Sequence, residues 1–106
     1  GSFKDLKGKV SGVQRKRHRV VVYLEVRGRW WGSKPYWSDP YTKIKSSGKW
    51  VCDVTTGGID ELATTYVAYL VRKTYDPPSV RGESTLPNEL ALNALAFTQV
   101  DRSPTR

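Results

Sequence analysis

The stretch "HRVVVYLEVRG", residues 18–28, decides the fold class. It sets Val20, Val22, Leu24 and Val26 on one face of an extended chain, and Val21, Tyr23 and Glu25 on the other. Strict alternation with β-branched and aromatic residues is the pattern of a strand, here read as half-buried. The same period returns in "TTYVAYLVRK", residues 64–73, where Tyr66, Ala68 and Leu70 alternate with Val67, Tyr69 and Val71. "KWVCDVTT", residues 49–56, is a third strand, with Trp50, Cys52 and Val54 on one face. The turn signal Ser46-Ser47-Gly48 introduces it and Gly57-Gly58 closes it. "YTKIKS", residues 41–46, is expected to be its hairpin partner.

Weaker strands flank these. "LKGKVSGV", residues 6–13, alternates Leu6, Val10 and Val13 with glycines and lysines. "ALAFTQVDR", residues 94–102, sets Leu95, Phe97 and Gln99 against Ala96, Thr98 and Val100. "LPNELALNAL" predicts a short helix capped by Asn88, and "GIDELATT" a single turn capped by Asp60. Six or seven short strands separated by turn signals predict an all-β fold, an antiparallel β-sandwich of about seven strands.

A chain of 106 residues suits one domain with one core. Gly1 and Ser2 read as the scar of a cleaved tag, residues 3–102 as a single module, and residues 103–106 as a tail or linker. No apolar run reaches the roughly 20 residues of a membrane helix. One cysteine and one histidine exclude a disulfide framework and a conventional His/Cys metal site, and no cofactor is expected. Cys52 reads as a small buried hydrophobe. The net charge of +8 favours anionic partners such as an acidic polysaccharide, a cell-wall polymer or nucleic acid.

Catalytic patterns find no support. His18 lies among cations in "RKRHR", the acids Asp39, Asp53, Asp60 and Glu61 have no partner across a cleft, and "TTGGID" lacks the lysine and spacing of a phosphate loop. The densest charge run, Arg15, Lys16, Arg17 and Arg19, is either a solvated turn or an anion-facing patch. Single-stranded nucleic acid is a weaker expectation, because the strands lack the stacking-ring pattern of RNA-recognition and cold-shock modules.

Two segments read as long irregular loops, residues 28–40 and 73–87. The first, within "RGRWWGSKPYWSDPY", concentrates Trp30, Trp31, Tyr36, Trp37 and Tyr41 beside Arg29, Lys34 and Asp39. Adjacent tryptophans in extended chain point to opposite sides. Such rings either lid the end of a core or face outward as flat platforms, where a sugar ring stacks its C–H groups while rim polar groups meet its hydroxyls.

The run "RHRVVVYLEVRGRWWGSKPYWSDPYTKIKSSGKWVCDVTTGGIDELATTYVAYLV", followed by "YDPPSV", "LP" and "VDR", resembles small modules of bacterial extracellular, carbohydrate-active proteins. Those modules resemble the transthyretin-like and immunoglobulin-like sandwiches appended to glycoside hydrolases. The likeness covers about residues 8–102, with "SSGKW" standing where an acidic turn residue is common. It implies an extracellular or cell-surface setting and a non-catalytic role. The expectation is therefore a polysaccharide-binding accessory module that targets a linked catalytic domain. Its candidate platforms are Trp30, Trp31, Trp37, Tyr36 and Tyr41, with Arg29, Lys34 and Asp39 at the rim. The alternative is a spacer or docking module with no ligand of its own.

Overall fold

A two-residue turn at Arg27-Gly28 organises the larger sheet. Both residues hold positive φ, 53° and 78°, as a type I′ hairpin turn requires. The turn joins β2 (His18–Val26) to β3 (Arg29–Lys34), with Val26 opposite Arg29. The computed structural model describes residues 5–34, 41–55 and 60–102, without the side chains of Ser33, Lys34 and Glu61.

Among these residues seven strands form two antiparallel sheets, an all-β sandwich. The other strands are β1 (Leu6–Lys9), β4 (Lys49–Cys52), β5 (Thr65–Arg72), β6 (Val80–Glu83) and β7 (Ala96–Asp101). β1 pairs with β4, and the larger sheet runs β6-β3-β2-β5-β7. The one α-helix among the described residues, α1 (Asn88–Asn93), precedes β7.

β2 is more deeply placed than a half-buried strand. Val20 to Leu24 are all buried, because both faces of the larger sheet are covered. On one face Val20, Val22, Leu24, Tyr66, Ala68 and Leu70 meet Leu6, Trp50 and Cys52 of the smaller sheet. On the other, Val21, Tyr23, Val67, Tyr69 and Val71 meet Val80 and Leu90, with Tyr75, Leu86 and Ala94 packed around them. An apolar residue at nearly every position is the mark of a strand buried on two sides. Each large side chain removed from water contributes about 1.5–3 kcal/mol, so the second layer adds stabilisation that a one-sided sheet lacks.

Five local expectations are corrected. Residues 28–40 are not a loop throughout, since β3 extends to Lys34. The 73–87 segment contains β6, which pairs with β3. Residues 41–46 are not β4's strand partner, which is β1. They form no strand, but they do close a hairpin onto β4 through the turn Ser46-Ser47-Gly48, where Lys45 N–H donates to Lys49 O at 2.8 Å, and Thr42 bridges to Val20. Asn88 is the first residue of α1 rather than its cap. Pro87 holds that position and no side chain caps the end. Asp60 likewise begins its single 3-10 turn, Asp60–Leu62.

Candidate functional site: the surface around Tyr41

The two adjacent tryptophans divide between the two cores. Trp31, opposite Leu24, packs against the cluster beneath the smaller sheet, and Trp30, opposite Glu25, packs against the one beneath α1. Both are half-buried. Alternation predicts this split, but a sheet covered on both faces gives each ring a packing role. Arg29 is exposed and donates from Nη1 to Gly82 O at 2.8 Å, which ties β3 to β6. Lys34 ends β3, while Tyr36, Trp37 and Asp39 lie outside the described residues.

Tyr41, at the end of the aromatic segment, is set in a built environment. Its hydroxyl donates to Asp76 Oδ1 at 3.0 Å, and the Arg19 guanidinium lies over its ring, 3.2 Å from the centroid. Arg19 Nη2 in turn donates to Tyr75 O at 3.0 Å. Burial raises the Tyr41 phenol above its ordinary 10.0, and the Asp76 hydrogen bond adds to this while Arg19 opposes it. Arg19 Nε is buried and meets no acceptor among the described residues. A cation stacked on an aromatic face and held by a carbonyl is fixed in place, so this guanidinium differs from its neighbours Arg15, Lys16 and Arg17. Those three are exposed in the turn before β2.

Arg19 and Tyr41 form one wall of an open cleft of about 520 Å³, completed by Thr42, Lys43, Lys45, Val51 and Lys73. Local folding explains the gathering. Thr42 and Ile44 are buried, so alternation turns Lys43 and Lys45 outward. β4 buries Trp50 and Cys52 and so presents Val51 beside them. Lys73 arrives from the end of β5, where its N–H donates to Arg17 O. The cleft offers one oriented guanidinium, three ammonium groups and a phenol, a set suited to carboxylate, sulfate or hydroxyl oxygens. The described residues bring no metal-holding group of three His, Cys, Asp or Glu side chains together. No helix among them is long and apolar enough to cross a membrane.

Of the aromatic candidates, Tyr41 is the described ring set in an open cleft. The lysines around it escaped sequence reading because they come from different segments and carry no motif. Comparison with protein families, with curated proteins and with solved structures found no match for this chain.

Proposed function

We propose that this protein is a non-catalytic polysaccharide-binding module that holds a glycan at the cleft beside Tyr41. The observation that carries this reading is the Arg19–Tyr41 pair, oriented by Asp76 and Tyr75 and opening onto Lys43, Lys45 and Lys73. The resemblance to extracellular accessory sandwiches of the immunoglobulin-like or transthyretin-like kind supports the same reading. In that setting the module raises the effective concentration of a linked catalytic domain at its substrate. Such a role asks no chemistry of the cleft, only reversible contact.

The test is retention of the protein on a panel of neutral and acidic polysaccharides, with Tyr41→Ala checked for folding by near-UV circular dichroism. Retention that weakens at least tenfold in the folded variant supports the reading. Equal retention by the variant, or none by the parent, refutes it.

A second reading rests on a different surface. Leu92, Leu95 and Phe97 are 83%, 41% and 67% exposed along α1 and the edge strand β7. Residues 84–101 contain no lysine or arginine. An apolar rim without cations suits docking onto a neighbouring domain, as the spacer alternative requires. Its sign is concentration-dependent self-association that Phe97→Lys abolishes.

A further inference from the structure

The outward face of the smaller sheet carries a grid of like charge. β1 buries Leu6 and so turns Lys7 and Lys9 outward, and β4 turns Lys49 and Val51 outward in the same way. Register sets Lys9 directly opposite Lys49, and Lys7 opposite Val51. On the far side of β4, the Lys45 N–H to Lys49 O bond extends the first row to Lys9-Lys49-Lys45. The second row runs Lys7-Val51, with Lys43 beside Val51 in the cleft. All five lysines are exposed, and none forms an ion pair among the described residues. Rows in such a sheet lie about 4.8 Å apart across the strands and about 7 Å apart along them.

The Val10 N–H to Gly48 O bond makes that rung a hydrogen-bonded pair. Lys9 and Lys49, one rung away, are therefore a non-hydrogen-bonded pair, the kind that brings side chains closest. Like charges directly opposite destabilise a sheet. Among the described residues no ion pair relieves that cost.

We infer that this lysine face is the landing surface of a linear polyanionic glycan, one bearing carboxylate or sulfate groups along its length, that runs on into the Tyr41 cleft. The inference rests on the polysaccharide reading and deepens it from glycan to acidic glycan. Two features favour a glycan over single-stranded nucleic acid. Trp50 points inward at 3% exposure, and the Tyr41 ring is covered by Arg19. On this face and in the cleft no described ring is therefore free to stack a base, which single-strand binders require. Lysines act as point charges with no preferred plane, which suits anions repeated along a flexible polymer.

The test measures affinity of the protein for polygalacturonate, a neutral glucan of equal length, an oligothymidylate, and vesicles containing phosphatidylserine, between 50 and 200 mM salt. By counterion release at about 0.7 per charge for a single-stranded polyanion, five lysines lower polygalacturonate affinity about 100-fold over that range. Lys9→Gln/Lys49→Gln should reduce the fall to about 20-fold, while the charge-matched Arg27→Asn/Arg81→Gln leaves it at about 100-fold. Equal effects of the two double variants overturn the assignment of the face. Glucan bound as tightly as polygalacturonate, without salt dependence and lost in Tyr41→Ala, overturns the polyanion inference but keeps the polysaccharide reading. Tighter binding of the oligothymidylate or the vesicles overturns the glycan assignment. Failure to bind either glycan overturns both.

Discussion

Reversing one charge in the lysine grid should make the free protein more stable. Lys49 stands between Lys9 and Lys45, so Lys49→Glu converts two repulsive neighbours into two attractive ones. At a separation of about 6 Å, each unit-charge contact is worth about 0.7 kcal/mol in water, and reversal doubles the change. Screening at physiological salt, with a Debye length of about 8 Å, roughly halves it. The two contacts together then stabilise by about 1.3 kcal/mol, within the range measured for cross-strand charge pairs. For a domain of this size that raises the melting temperature by about 6 °C. The assay is thermal unfolding followed by circular dichroism at 0.05, 0.15 and 1 M salt. Lys49→Gln, which removes repulsion without adding attraction, should give about half the gain, and both gains should vanish at 1 M. A Lys49→Glu protein that melts at or below the parent temperature in low salt would refute the electrostatic reasoning.

Other outcomes follow from the packing. A Cβ at Gly32 would lie 2.2 Å from Cδ1 of the buried Tyr23 ring, whose hydroxyl donates to Pro78 O at 2.7 Å. Gly32→Ala should therefore cost about 1–3 kcal/mol by urea denaturation. Leu90 is the buried side chain of α1, so Leu90→Ala should cost about 2–5 kcal/mol and speed hydrogen exchange in α1 ahead of β2. Burial raises the phenols of Tyr41, Tyr69 and Tyr75, with Asp76 and Glu89 adding to the first and last. A raised phenol binds its proton longer in the folded state, so its contribution is full below the ordinary 10.0 and is lost as pH climbs above it. Denaturation at pH 7, 9 and 11 should show level stability between the first two and a fall at the third, in step with tyrosinate absorbance.

Alternation carried most of the fold because it is a property of single segments. β2 and β5 announce themselves in "VVVYLEV" and "TYVAYLV", and Cys52 falls in the core beside Trp50 and Val54. β3 was hidden by an Arg-Gly turn in place of the usual Asn-Gly, followed by a segment whose glycine and prolines resemble a loop. β6 was hidden by its four-residue length and by Gly82, which holds a φ of 84° inside the strand. The site was less legible than the fold. Arg15 to Arg19 form the densest run in sequence, yet Arg19 alone is fixed by stacking. The lysine face unites residues about 40 positions apart, and only the β1–β4 register reveals that Lys9 meets Lys49. Charge density along a chain and charge density on a surface are different quantities.

The layering gives the molecule a top and a bottom. The lysines lie on the outer face of the smaller sheet, whereas α1 covers the opposite face of the larger one through Leu90. The cation-free helix α1 thus sits on the side away from the grid, while Phe97 of β7 shares a pocket with Lys9 at the sheet's edge. In the field of an anionic polymer such a particle experiences a torque before it makes any contact. On the proposed reading it would arrive one way up, with the lysines toward the polymer and Leu92 toward solution. Whatever chain is joined to it would then be presented at a fixed aspect to the surface, a steering effect that depends on no individual contact.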